Sequence, residues 1–194
     1  MPPTTLARLK KHLRPGGVYR RTDLLRWSNN VDRHLKKLIA GGTLQKVRRG
    51  LYYHPRQFEF GEAPADDDDL LRGFLGTNRF VVVSPNAYNQ LGLGTTQLYN
   101  KRVVYNQHRN GTFMLGNRMF RFKRRSNIPR QLSAEFLLVD LVNEIGQLAE
   151  DQDAVLCRAR ERAKTMDRKK LSRAISRYGK IPARKRFKRI LQHS

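Results

Sequence analysis

The sequence predicts an α+β chain: an N-terminal winged helix-turn-helix, then a mixed domain with a small antiparallel sheet and a C-terminal helical bundle. Three observations lead there. Over residues 1–58 the apolar spacing runs in the order helix, short strand, helix, turn, helix, hairpin. The stretch EFGEAPADDDD at 59–69 then breaks the composition with Gly61, Pro64 and four consecutive aspartates, which marks a boundary. Beyond it, short β-rich runs around Asn110-Gly111 and Gly116-Asn117 give way to long helical patterns from Ser133 onward. The expected parts are a domain over 1–58, a linker over 59–69 and a second domain over 70–194.

The elements follow in order. Thr4 and Thr5 can cap a helix whose Leu6, Leu9 and Leu13 share a face and which stops at Pro15-Gly16-Gly17. Val18 and Tyr19 make a short extended piece. Thr22 and Asp23 start a second helix, about two turns through Trp27. Asn30 can cap a third, in which Val31, Leu35, Leu38 and Ile39 form one apolar stripe until Gly41-Gly42 ends it. Strands at 44–47 and 51–53 flank Arg48-Arg49-Gly50. Alternation along the second strand predicts one of Tyr52 and Tyr53 buried and the other free to touch a nucleic-acid backbone, and Trp27 reads as core packing.

In the second domain Asp66 to Asp69 suit a helix N-terminus ahead of Leu70, Leu71, Phe74 and Leu75, because carboxylates there oppose the helix dipole. Residues 80–83 read as a buried strand, with Ser84 and Pro85 opening a helix. Strands at 102–105, 112–115 and 119–123 are expected, the first two joined through an Asn110-Gly111 hairpin. Ser133 caps an apolar helix expected to reach Ala149, with Phe136, Leu137, Leu141, Ile145 and Leu148 inward. Two or three helices follow, the last docked by Phe187, Ile190 and Leu191.

Charge narrows the function. The 194 residues hold 40 Lys and Arg against 16 Asp and Glu, a formal net charge of +24. Such an imbalance opposes compaction and fits a polyanionic partner. It is densest at the N-terminus: residues 1–58 carry 14 basic and 2 acidic groups, 59–130 carry 11 and 6, and 131–194 carry 15 and 8. A membrane is the weaker partner, since no apolar run approaches the ~18 residues of a span and the N-terminus lacks the pattern of a secretory signal. With 39% hydrophobic residues the chain can build packed cores. Cys157 is the only cysteine and the five histidines fall at no metal-ligand spacing, so a cytoplasmic protein without metal or cofactor is expected.

Opposite the apolar stripe the third helix carries Asn29, Arg33, Lys36 and Lys37, with Asn30 at its cap as a further candidate contact, and the hairpin tip carries Arg48 and Arg49. In a winged helix the first set would read a double-stranded DNA groove and the second would hold phosphates. Arg and Lys match guanine O6/N7, Asn matches adenine, and backbone contacts set register. Residues 158–189 hold all 15 basic groups of the last third against Glu161 and Asp167 alone. There Arg184, Lys185, Arg186, Lys188 and Arg189 would line the outer face of the final helix. That run supports an alternative, a sequence-tolerant RNA or nucleic-acid binder acting through the C-terminal helices. An enzyme finds little support: no phosphate-cradling glycine loop or triad order is present, and Asp140 with Glu144, one turn apart, suit salt bridges.

Taken in order, the stretches GGTLQKVRRGLYYHP, VVVSPNAYNQLGLGTTQLYNKRVVYNQHRNGTFMLGNRMFRFKRR and YGKIPARKRFKRIL resemble the AbiEi-type antitoxins of bacterial type IV toxin-antitoxin systems. The resemblance spans almost the entire chain. It implies a winged helix that binds inverted repeats in its own promoter and represses the operon. It also implies a C-terminal domain that counteracts a nucleotidyltransferase-like toxin. At matching positions it implies DNA contacts from Arg33, Lys36, Lys37, Arg48 and Arg49. It further implies a basic second domain, in which Arg121, Lys123, Arg124 and Arg125 are candidates for the partner surface.

Overall fold

A computed structural model describes residues 4–84, 86–89, 91–93, 102–148 and 151–192. The chain forms two compact units, Met1–Asn78 with Phe113–Met119, and Arg79–Thr112 with Phe120–Ser194.

In the first unit α1 (Thr5–Lys11) is capped by the Thr4 hydroxyl, which accepts from the Ala7 N–H. Strand β1 (Val18–Arg20), the single turn α2 (Arg21–Leu24), α3 (Val31–Ala40), β2 (Gln45–Arg48) and β3 (Leu51–Tyr53) follow. The apolar stripes do what their spacing predicts: Leu9, Leu13, Leu24, Val31, Leu35, Leu38 and Leu44 close into one core. Trp27 packs against it and stacks on His12, ring centroids 4.5 Å apart. Ile39, at the edge of the stripe, stays exposed. The second helix is shorter than the two turns expected, and Asn30 gives α3 no side-chain cap.

β3 is the middle strand of an antiparallel sheet of order β1-β3-β2, with Tyr53 opposite both Val18 and Gln45 and Leu51 opposite Arg20 and Arg48. Its central place corrects the expectation for the tyrosines, because both are buried. Tyr52 joins the helical core, and the Tyr53 hydroxyl donates to the Ala63 carbonyl at 2.8 Å.

The segment expected to be a linker is folded. β4 (Arg56–Phe58) and β5 (Gly61–Ala63) form a two-stranded antiparallel hairpin, and α4 (Asp67–Leu75) follows. Asp66 caps α4, accepting from the N–H groups of Asp68 and Asp69, with the other three aspartates in the first turn. Asp67 pairs with Arg118 and Asp69 with Arg72, and Gly76 ends the helix in the left-handed conformation.

The second unit contains β6 (Phe80–Val83), α5 (Asn86–Asn89) and β7 (Arg102–Asn106). The chain then runs through β8 (Gly111–Leu115) and β9 (Arg118–Arg124). Pro85 and Ala149 lie outside the described residues. β7 pairs antiparallel with β6 but parallel with β9, so the sheet is mixed and not purely antiparallel. The Asn110-Gly111 hairpin is likewise corrected, since β7 has β6 and β9 as its neighbours. The asparagines act elsewhere. Buried Asn106 folds the loop after β7 by accepting from the N–H groups of His108 and Arg109, and Asn110 accepts from the Arg124 N–H at 2.6 Å.

α6 (Ala134–Glu144), capped by the Ser133 hydroxyl, continues into a 3₁₀ turn at Ile145–Gln147. It is buried on all sides and is the helix on which α7 (Gln152–Lys164), α8 (Arg168–Tyr178) and α9 (Ile181–Gln192) pack. Phe136, Leu141, Val155, Leu171, Ala183 and Phe187 lie within this core. Among the described residues no helix is long and apolar enough to cross a membrane, and no three His, Cys, Asp or Glu side chains gather where they could hold a metal ion.

Candidate nucleic-acid interface

The outward face of α3 follows from its buried one. With Val31, Leu35 and Leu38 inward, 100° per residue sets Arg33, Lys36 and Lys37 around the opposite side, and all three are exposed. None of them forms an ion pair among the described residues. Asn29 and Asn30, in the turn that leads into α3, are exposed as well.

The one carboxylate of α3 is already engaged. Arg21 holds Asp32 in a two-pronged pair, Nε to Oδ1 at 2.7 Å and Nη2 to Oδ2 at 2.6 Å. That hydrogen bonding lowers the Asp32 carboxyl below its ordinary value, so it stays ionised with its charge answered from α2. The buried Ser28 hydroxyl lies 2.7 Å from His34 Nδ1, which ties the preceding turn to the first turn of α3. Together these contacts fix the entry of the helix.

The two hairpin arginines separate. Arg49 is exposed at the turn, where Gly50 takes φ 78°, a value that L side chains rarely adopt. Arg48 is half-buried: its guanidinium sits 5.1 Å from the Phe74 ring centroid and 4.7 Å from that of Phe113. It is therefore packed on two aromatic faces in place of standing at the tip.

In the second unit the expected basic surface divides. Arg121 and Arg124 are exposed, Arg121 donating to Gln147 Oε1 at 3.0 Å. Lys123 and Arg125 turn inward, which corrects their reading as free surface. Lys123 pairs with Glu144. Arg125 lies over the Tyr105 ring at 3.8 Å and reaches Asp140 at 3.0 Å and Glu144 at 3.1 Å. Lys180 adds a third cation at 2.8 Å from Glu144, and the Tyr88 and Tyr105 hydroxyls donate to Asp140 at 2.9 Å.

Here the two carboxylates do meet salt bridges, as their spacing on α6 suggested. Burial raises the Asp140 carboxyl above its ordinary value against the pull of Arg125 and the two hydroxyls. Burial works against ionised Glu144 as well, but hydrogen bonds from Lys123 and Lys180 outweigh it and hold that carboxyl low.

On α9, Arg184, Lys185, Lys188 and Arg189 are exposed and Arg186 is half-buried, with Arg184 also donating to the Ser176 carbonyl at 2.6 Å. The sequence reading missed a second stripe. Lys169, Lys170, Arg173 and Arg177 all lie on the exposed side of α8, opposite Leu171, Ala174 and Ile175. The i, i+4 spacing of Lys169, Arg173 and Arg177 carries that signal.

No protein-family model matches the chain, and a search of curated proteins finds no match.

Proposed function

We propose that the chain is a DNA-binding antitoxin and autorepressor of a type IV toxin-antitoxin operon, acting against a nucleotidyltransferase-like toxin. Its first unit is read as a winged helix-turn-helix, α3 being the recognition helix and the Arg49-Gly50 turn the wing. The order α1, β1, α2, α3, β2, β3 with a β1-β3-β2 sheet supports that reading. The observation that carries it is the outward, unpaired set Arg33, Lys36 and Lys37 on a helix whose only acid is neutralised by Arg21. In this reading Asn29, Asn30, Arg33 and Lys37 face base edges of an inverted-repeat operator, while Lys36 and Arg49 hold backbone. The toxin-directed half rests on the resemblance of the second unit to the AbiEi-type antitoxins.

A gel-shift titration against the chain's own upstream region tests the DNA half. Arg33→Ala should weaken binding to that site far more than to scrambled DNA. Unchanged affinity in both Arg33→Ala and Arg49→Ala would reject the interface. Co-expression with the product of a neighbouring nucleotidyltransferase-like gene tests the other half, growth rescue being the expected result.

The α8 stripe favours a second reading, a sequence-tolerant nucleic-acid binder, because its exposed side chains are cations and serines with no aromatic or amide group to read a base. Replacing Lys169, Arg173 and Arg177 with Glu in the full chain should then abolish RNA retention, and unchanged retention would discard it.

A further inference from the structure

Arg21 does more than neutralise Asp32, because it stands where three elements of the first unit meet. It is the first residue of α2. Its backbone N–H donates to the Gly50 carbonyl at 2.9 Å, in the turn that carries Arg49. Its guanidinium reaches Asp32 in the first turn of α3, one helical turn before Lys36. One residue thus ties the start of α2 to the hairpin turn and to the cationic helix.

The pair leaves part of the guanidinium unused. Asp32 takes the Nε hydrogen and one on Nη2. The second Nη2 hydrogen and both on Nη1 meet no acceptor among the described residues, and the side chain keeps 41% of its surface in water. The preceding residue behaves differently. Arg20 lays its guanidinium against Gly76, at the C-terminal end of α4, where the helix dipole is negative. An exposed pair such as Arg21 with Asp32 contributes little to stability. What it supplies is direction: the two-pronged contact fixes the guanidinium plane, and with it the heading of the free N–H groups.

We infer that Arg21 holds a DNA backbone phosphate between the Arg49-Gly50 turn and α3, and that Asp32 is its positioning residue. The inference rests on the reading of those two elements as a duplex-binding face. Phosphate, and not a base edge, follows from the helix geometry. With Val31, Leu35 and Leu38 inward, 100° per residue puts Arg33 on the crest of the exposed face and Asp32 on its flank. A group aimed from the flank meets the wall of the groove that the crest enters, and that wall is sugar and phosphate. Asp32 then has two opposed effects on DNA: its charge repels the backbone, while its fork sets the register of one contact.

Gel-shift titrations of the full chain across a salt series, on its own upstream region and on a scrambled duplex, test the inference. Arg21→Ala with Asp32→Ala removes one cation and one anion, so the net charge stays at +24. The slope of log affinity against log salt should nevertheless fall by about 0.9 on both duplexes, the loss of one phosphate contact. Asp32→Ala and Asp32→Asn alone separate aim from charge. Both remove the carboxylate charge, but only asparagine leaves an oxygen for the guanidinium. Preference for the upstream region over the scrambled duplex should drop in Asp32→Ala and be kept in Asp32→Asn. The pair lies on the surface, so circular dichroism should be unchanged in all three.

A double variant with the wild-type salt slope would overturn the phosphate contact. Undiminished preference in Asp32→Ala, or an equal drop in Asp32→Asn, would overturn the positioning role. Arg33→Ala and Arg49→Ala, titrated alongside, keep this inference apart from the reading beneath it. If they lose affinity while the double variant does not, only the role of Arg21 is dismissed. If none of the variants changes binding, the duplex-binding face is rejected and the role of Arg21 with it.

Discussion

On α3 the cations Arg33, Lys36 and Lys37 stand in water, and the nearest helix acid, Asp32, is held by Arg21. Around Glu144 three other cations, Lys123, Arg125 and Lys180, converge on a carboxylate whose side chain is 8% exposed. The groups are chemically alike, yet the first set adds little to stability and is available to a ligand, while the second is committed to the fold. What separates them is where the acids lie. A buried carboxylate must be matched by cations or else lose its charge, so it draws them in whatever their place in a basic run. A net charge therefore overstates the binding surface by the number of cations such acids consume.

The largest expected effect breaks the second set. Glu144→Ala leaves Lys123, Arg125 and Lys180 facing one another and should cost about 3–5 kcal/mol in urea unfolding. A change near zero would show these cations to be ordinary surface. The same carboxylate should shape the acid limb. Its folded-state value lies below the ordinary 4.5, so its contribution is present above that pH and is lost as pH falls through the lowered value. The stability gap between wild type and Glu144→Gln should accordingly shrink on acidification.

Asp140 tilts the other way. Raised by burial, it favours the fold below its ordinary 3.8 and ceases to do so as pH climbs through the raised value.

Next in size, Arg33→Ala should cost about 1–3 kcal/mol of operator affinity and, being solvated, less than about 0.5 kcal/mol of stability. Arg48→Ala and Arg49→Ala sharpen the contrast within one turn. The first should lower stability by about 1 kcal/mol through loss of its two aromatic faces. The second should leave stability alone and reduce the slope of log affinity against log salt by about 0.9, the signature of one phosphate contact.

Local signals were read well. The Val31, Leu35, Leu38 stripe with Gly41-Gly42 behind it, the Asp66 cap and the Ser133 cap each depend on residues within a few positions of one another. What escaped depends on distant partners. Tyr53 is buried because β3 turned out to be the central strand, and the parallel pairing of β7 with β9 joins strands separated by the whole of β8. The folded hairpin at 56–63 hid behind the Gly61 and Pro64 that resemble a linker. In the candidate interface the face of α3 was legible from periodicity alone. The diversion of Arg48 to Phe74 and Phe113, and of Lys123 and Arg125 to Glu144, was not, since each partner lies about twenty or more residues away along the chain.

The stacked pair His12 and Trp27 has an optical consequence. Trp27 is the only tryptophan, so its emission reports the loosening of the first unit and is blind to the second. The phenols of Tyr88 and Tyr105, pushed up by burial and by Asp140, should in turn absorb as phenolate only after the second unit opens. Tyr19, Tyr52 and Tyr53 of the first unit also add to an alkaline difference spectrum. A fluorescence trace from the same cuvette, which follows the first unit alone, is therefore what separates the opening of one half from that of the other, with no label attached.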